Sequence, residues 1–281
     1  MTTINERFVR QSFLSADAQP TLERAVVGLV GLGGGGSHVT QQLAHIGFLN
    51  YETYDPDAVE ASNYNRLIGV LDGDVAARTS KVEIATRVIK DLQPDARVGV
   101  HRRRWQDDPG PLRGCDLIFG CVDTFAARHE LEVFARRYMI PLIDIGMDVH
   151  QAGNEPPRMA GQVILSLPGG LCMTCIGFLT EEKLAKEAAL YGAAGGRPQV
   201  VWPNGVLAST AVGIAVDLLT NWTRTSRDVV YLSYNGNDGT IRPHVRLQFL
   251  EGVECQHYPE CEVGDPVMRW SSSTEAEASV R

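Results

Sequence analysis

The sequence predicts an α/β fold, a Rossmann-like and mostly parallel sheet flanked by helices, followed by a C-terminal antiparallel β extension. Three observations carry this. Strand-sized apolar runs alternate with helix-sized amphipathic segments through the first half of the chain. The first of those runs ends in a cluster of glycines that leads into a helix. After Gly146 the alternation gives way to short strands around one long apolar helix.

Residues 1–24 are polar and mixed, which predicts a helical arm. Ala25 to Val30 is an apolar run without alternation, as expected of a strand buried on both faces. The glycine loop 31–36 follows, and Ser37 is placed to cap a helix running to Gly47, with Val39, Leu43, Ala44 and Ile46 on its buried face. Tyr51 to Asp55 is a second strand, stopped by Pro56. Beyond an irregular stretch, Val82, Ala85, Val88, Ile89 and Leu92 have helical spacing over 81–92, and a strand follows at 97–101. Asp116 to Val122 reads as a buried strand, Phe125 to Tyr138 as a helix, and Pro141 to Ile145 as a strand. In the second half, 163–167 reads as a strand, 180–191 as an amphipathic helix and 192–198 as a mobile loop. Val206 to Leu219 is an apolar core or subunit-interface helix, too short at that length to cross a bilayer. Strands are expected at 229–234 and 245–249, and a disordered tail from 271. The organisation is thus an arm (1–24), a nucleotide-binding half (25–150), a partner-binding and dimerisation half with a zinc site (151–270) and the tail (271–281).

Composition narrows the function classes. At 281 residues and a formal charge of −8 the chain argues against a nucleic-acid binder, and Arg102-Arg103-Arg104 reads as a solvated strand end. The N-terminus has no signal-peptide core and no apolar stretch reaches bilayer length, so a soluble, cytoplasmic protein is expected. Six cysteines are too few for a disulfide scaffold. Cys172 and Cys175 form a C-x2-C pair, and Cys255 and Cys261 form a wider C-x5-C pair that encloses His257. Two such pairs can supply the closed tetrahedral shell of a structural zinc, with His257 competing for one position. Cys115 and Cys121 flank an apolar run and read as buried thiols.

Gly31-x-Gly33-x-x-Gly36 stands between a strand and a helix, and Asp55 closes the next strand 19 residues beyond Gly36. At that spacing an acid reaches a ribose hydroxyl while a phosphate lies on the helix N-terminus. The loop alone does not choose the nucleotide. Arg66 and Lys81 suit a β,γ-phosphate group, whose departure as pyrophosphate concentrates charge, and Asp123 beyond a strand end can hold Mg²⁺.

Together these residues resemble the ThiF/MoeB/E1-like adenylyltransferases, which activate the C-terminus of ubiquitin-like and sulfur-carrier proteins. The resemblance runs from Arg7 to about Leu219. It is carried by Arg7-Phe8-Val9-Arg10-Gln11, the glycine loop with Gly31, Gly33, Gly34 and Gly36, Asp55-Pro56-Asp57, Ser62-Asn63-Tyr64-Asn65-Arg66, Lys81-Val82-Glu83 and Val122-Asp123. It implies binding of ATP·Mg²⁺ and adenylation of a β-grasp partner's C-terminal Gly-Gly tail. Asp55 would hold the ribose, Asn63, Arg66 and Lys81 the phosphates and Asp123 the Mg²⁺, while Arg10 would reach the other active site of a homodimer. The four cysteines match the family's structural zinc position.

One departure bears on the fate of the acyl-adenylate. No cysteine lies between Ile176 and Glu254, so a thioester carried on this chain is not expected. The enzyme would stop at the acyl-adenylate or pass the acyl group to a separate E2-like conjugating protein or a hydroxyl. Ser209 and Thr210 are the nearest hydroxyls, but on an apolar helix they read first as packing residues. A sulfur carrier of molybdopterin or thiamine synthesis is the alternative partner. An NAD- or FAD-dependent oxidoreductase on the same glycine loop is the competing class, and it leaves Arg66, Lys81 and the paired cysteines unexplained. A catalytically dead scaffold is a third, opposed by Asp55, Arg66, Lys81 and Asp123 standing on one chain.

Overall fold

The computed structural model describes residues 6–151, 153–189, 198–225 and 229–258. A 3-10 helical arm (Glu6–Leu14) and α1 (Ala18–Arg24) precede β1 (Val26–Val30), α2 (Gly34–Ile46) and β2 (Asn50–Tyr54). Next come α3 (Asp72–Ala77), α4 (Lys81–Leu92), β3 (Arg97–His101), β4 (Leu117–Gly120), α5 (Phe125–Arg137) and β5 (Leu142–His150). The second half holds β6 (Arg158–Ser166), α6 (Glu181–Ala189), α7 (Val201–Thr220), β7 (Val230–Asn235) and β8 (Thr240–Pro243).

All eight strands form one sheet, in the order β3-β2-β1-β4-β5-β6-β7-β8. The first five are parallel, and β6 to β8 add antiparallel. The boundary expected at 150 falls at the end of β5, and β6 pairs back along the whole of that strand. Strand order reverses between β1 and β4, so the crevice outside their C-terminal ends is the place where such a sheet receives a ligand. Both faces are covered. Val27, Leu29, Leu117 and Phe119 point into a core shared with α1, α2, α4 and α7. Ile118, Leu142 and Ile164 point into a second core with Leu131 and Phe134 of α5 and Met173 and Phe178. Period-2 side chains buried on both sides explain why these strands read as unbroken apolar runs.

Several expectations are corrected. The first helix after the glycines begins at Gly34 with Gly33 as its N-cap. Ser37 lies inside that helix, where its hydroxyl donates to the Gly34 carbonyl and accepts from the Ile68 N–H. The irregular stretch contains α3. The long apolar helix starts at Val201, five residues earlier than its apolar pattern suggests, and at 20 residues it is long enough to cross a bilayer. Length therefore does not exclude a span; what α7 does here is bury Leu207, Ala208, Ala211, Val212 and Ala215 in the first core. Val245–Phe249 is a 3-10 helix and not a strand. Pro243 ends β8, and the His244 ring accepts the Arg246 N–H to start the turn, so the alternation Val245, Leu247, Phe249 is not used for pairing. The loop expected at 192–198, all but its last residue, and the tail at 271–281 lie outside the described residues, as does Cys261.

Candidate active site

The glycine loop leaves β1 through Gly31, whose φ of +87° is open chiefly to glycine and whose N–H donates to the Tyr54 carbonyl at 2.9 Å. A Cβ at Gly36 would collide with the Gly31 carbonyl oxygen, so this pair lets α2 close onto β1. Gly34 and Gly35 are dictated by residues far along the chain. Added methyl carbons there would sit 2.6 Å from Asn204 Nδ2 and 2.9 Å from Ile145 Cδ1. Gly33 is different, since a Cβ on it would meet nothing within 4 Å. It faces open space at the N-terminus of a 13-residue helix, where unpaired N–H groups and the helix dipole favour an anion. Gly36→Ala is therefore expected to cost about 1–3 kcal/mol of folding stability. Gly33→Ala should leave the melting temperature near that of the parent while weakening nucleotide binding, and calorimetric titration beside thermal melting separates the two outcomes.

Asp55 emerges beyond the C-terminal end of β2 with only 5% of its surface exposed. Its carboxylate accepts the Leu32 N–H at 2.7 Å and the Asp57 N–H at 2.9 Å. Burial pushes its pKa up, opposed by Lys81 and these two N–H groups. Lys81 is the first residue of α4, which Ser80 and Glu83 close with a capping box. Its ammonium lies 2.7 Å from Asp57 and 3.7 Å from Asp55. Burial alone would lower the Lys81 pKa, but the carboxylates of Asp55, Asp57 and Asp123 turn the net shift upward, so the ammonium stays charged at neutral pH.

Arg66 folds back on its own turn, donating to the Ser62 carbonyl at 2.5 Å and to Asn65 Oδ1 at 3.0 Å, and its Cδ lies near the Gly34 position. Asn65 Nδ2 in turn donates to the Gln199 carbonyl just before α7. Asn63 is buried, with its Oδ1 accepting the Glu60 N–H at 3.0 Å, so in this structure it shapes the loop that presents Arg66. Asp123 is exposed three residues beyond β4, and its field is felt at Lys81. Asp55, Asp57, Arg66, Lys81 and Asp123 therefore gather around the glycine loop at the switch point of the sheet.

Arg10 does not join them. It is exposed on the N-terminal arm, which packs through Phe8 and Gln11 on Gly47 and Ile46 at the far end of α2. The length of α2 keeps Arg10 roughly 20 Å from the glycine loop of its own chain.

Cys172, Cys175, Cys255 and His257 come together on the other face. Cys172 and Cys175 have their sulfurs 3.6 Å apart, Cys175 and Cys255 3.7 Å apart, and His257 Nδ1 lies 3.2 Å from Cys175 and 3.6 Å from Cys172. All four ligand atoms fall within 4.8 Å of one another. Bonds of about 2.3 Å in a tetrahedral shell put sulfurs about 3.8 Å apart, so three thiolates and an imidazole in this arrangement suit Zn²⁺. His257, the residue competing with the cysteines, thus joins the cluster. Cys115 and Cys121 are not part of this cluster. Burial drives the Cys115 pKa up to about 12 and the Cys121 pKa higher.

The profile of the ThiF family matches residues 6–255. The chain belongs to the ThiF family. It is 26% identical over 229 residues to ubiquitin-like modifier-activating enzyme 5 of Drosophila willistoni, covering 76% of this chain and 53% of the relative. It is 30% identical over 172 residues to the SAMP-activating enzyme E1 of Haloferax volcanii, covering 60% of each. It is 31% identical over 170 residues to the adenylyltransferase and sulfurtransferase uba4 of Aspergillus niger, covering 58% of this chain and 34% of that one. The chain spans about half the length of several curated relatives it matches. Its fold is shared with E. coli MccB, solved with AMPCPP and MccA (TM-score 0.70, 19% identity, 86% of this chain, 72% of that one). It is shared also with PaaA (TM-score 0.65, 20% identity, 87% and 85%).

Sequence reading missed three side chains that this ThiF-family chain gathers around the site. Asn204 is 5% exposed at the start of α7, holds the Val200 carbonyl and packs on Gly34. Arg128 is buried in α5, pairs with Asp144 and donates to the Val122 carbonyl immediately before Asp123. A signal for the pair existed, since Asp144 interrupts an otherwise apolar strand and Arg128 follows Asp123 by little more than one helical turn. For Asn204 the only signal is a lone amide near the start of an apolar helix.

Proposed function

We propose that this chain adenylates the C-terminal carboxylate of a small β-grasp partner, ubiquitin-like or sulfur-carrier, with ATP·Mg²⁺. The observation that carries the reading is the convergence of Asp55, Lys81, Arg66 and Asp123 on the open N-terminus of α2 in a ThiF-family chain. Asp55 would accept from the ribose hydroxyls, and the α2 N-terminus would hold phosphate at Gly33. A carboxylate oxygen of the partner attacks the α-phosphorus, the acyl–phosphate bond forms, the bond to the β-phosphate bridging oxygen breaks, and pyrophosphate leaves with that electron pair. Lys81 and Arg66 balance the charge gathering on the leaving group. Mg²⁺ held by Asp123 would add Lewis-acid polarisation of the phosphates. No general base is needed, because the nucleophile is already ionised at neutral pH.

Desolvation pushes the thiol pKa values of Cys115 and Cys121 up, which supports release of the acyl group from the adenylate without a thioester on either of them. Ser209, which is exposed, and Thr210, which is half-buried, donate to the Gly205 and Val206 carbonyls within α7. The distance of Arg10 from its own glycine loop supports a homodimer in which it serves the partner subunit. ThiF membership favours adenylation over the NAD- or FAD-dependent alternative. The test is ATP–pyrophosphate exchange, expected only when a Gly-Gly-ended β-grasp protein is supplied and expected to fall at least about 100-fold in Asp123→Ala. Exchange that survives Asp123→Ala unchanged sinks the metal assignment, and NADH binding without ATP binding sinks the class.

A further inference from the structure

Three charged residues of α5, Arg128, Glu132 and Arg136, are spaced four apart and so lie along one helix face. All are buried, at 7%, 0% and 2% exposure. Polar groups taken out of water persist where they are hydrogen-bonded, and each of the three side chains makes hydrogen bonds. Arg128 pairs with Asp144 and donates to the carbonyls of Ile145 and Val122. Glu132 Oε1 accepts from Ser166 Oγ at 2.6 Å and from the Met173 N–H at 2.8 Å, while Oε2 has no hydrogen-bond partner among the described residues. Arg136 donates to Ser166 Oγ and, at 2.7 Å each, to the carbonyls of Gly170 and Leu171, and its guanidinium stands 5.4 Å from the centre of the Tyr258 ring. Two guanidinium groups, Arg128 and Arg136, thus alternate along the helix with the carboxyl of Glu132, and Arg128 pairs with that of Asp144.

The far ends of this ladder give it meaning. Gly170, Leu171 and Met173 lead into and through the Cys172–Cys175 turn, and Tyr258 follows His257, so Glu132 and Arg136 grip both arms of the Cys/His cluster. Val122 precedes Asp123, so Arg128 grips the loop that presents Asp123. A helix is stiff over 13 residues, and its interior rungs leave little room for one end to move alone. We propose that the Arg128–Glu132–Arg136 ladder is a positioning device that couples the metal-binding Cys/His cluster to the Asp123 loop, so that filling the cluster with Zn²⁺ fixes the main chain at 122–124. Its consequence for catalysis rests on the adenylation reading; the coupling itself does not.

The test uses the full-length protein loaded with Zn²⁺, a chromophoric chelator as competitor, and amide hydrogen exchange. Glu132→Gln keeps the shape but replaces the carboxyl that holds Ser166 and the Met173 N–H by an amide, and is expected to raise the zinc Kd about 10-fold, as losses behind a metal ligand do. Stripping Zn²⁺ from the parent is expected to speed exchange at residues 123–128 at least about fivefold while Val27 and Leu29 of β1 hold their protection. In zinc-loaded Glu132→Gln the 123–128 amides should already exchange fast. Should stripping zinc unfold β1 as well, the zinc-loaded variant alone decides, and should Glu132→Gln not fold, Arg136→Lys carries the same expectations. An unchanged zinc Kd, failure to bind zinc at all, or exchange at 123–128 indifferent to the ladder overturns the proposal. Loss of ATP–pyrophosphate exchange with these responses intact would instead overturn the adenylation reading.

Discussion

Replacing Lys81 by methionine is expected to lower ATP–pyrophosphate exchange by about 10²–10³-fold, or about 3–4 kcal/mol of transition-state stabilisation. The size follows from where the ammonium stands. It is 12% exposed, 2.7 Å from Asp57 and 3.7 Å from Asp55, and those carboxylates keep it charged despite its burial. On the adenylation reading, in which Asp55 would meet the ribose, a cation held between two acids would be placed to exchange its contact with Asp57 for one with a phosphate oxygen. A cation serving only to neutralise Asp55 would be missed differently. Its removal would push the Asp55 carboxyl further up and cost stability at neutral pH, with exchange falling only as far as the folded fraction does. Exchange rate and urea midpoint measured on the same Lys81→Met preparation separate the two, and a loss of activity below about tenfold would remove Lys81 from the reaction.

The parallel half of the fold is legible in the sequence because its central strands β1 and β4 are buried on both faces and its helices on one, so composition and period agree there. The limits of that legibility are specific. Val245, Leu247 and Phe249 alternate like a strand, but Pro243 and the His244 ring divert the chain into a 3-10 turn, a decision made by two residues outside the pattern. The glycines of the phosphate loop are legible as a group and not singly. Only the tertiary contacts show that Gly34 and Gly35 make room for Asn204 and Ile145, which arrive from far along the chain, and that Gly33 alone faces open space. Among the polar site residues, Asp55, Lys81 and Asp123 are recognisable because each sits at a strand end or helix start. Asn63 stands in the Ser62–Arg66 motif, and that its Oδ1 also closes a backbone turn is not announced by its spacing. The zinc-binding reading depends similarly on proximity. A C-x2-C pair announces itself, whereas the choice of His257 as a partner for Cys172, Cys175 and Cys255 follows from how the segment after β8 returns to the Cys172–Cys175 turn.

The largest effect on stability is expected at Arg128. Removing one partner of a buried pair leaves the other charge uncompensated, so Arg128→Met should cost about 3–5 kcal/mol at pH 7. The pH dependence gives the change its signature. Burial drives the Asp144 carboxyl up to about 6, and Arg128 is the first group opposing it. A carboxyl whose folded pKa lies above its unfolded value of 3.8 binds more protons in the native state, so its contribution to stability is full below about 3.8 and is lost as pH rises through about 6. Without Arg128 the folded pKa rises further and the loss extends to higher pH. Urea unfolding should therefore show a smaller difference between Arg128→Met and the parent at pH 5 than at pH 7, where Asp144 would have to ionise alone. The double variant Arg128→Met, Asp144→Asn has no charge left to bury and should recover most of the stability at pH 7 while becoming less sensitive to pH over this window. Equal losses at pH 5 and pH 7, or a double variant weaker than Arg128→Met, would mean that Arg128 acts through its contacts with the Val122 and Ile145 carbonyls and not through Asp144.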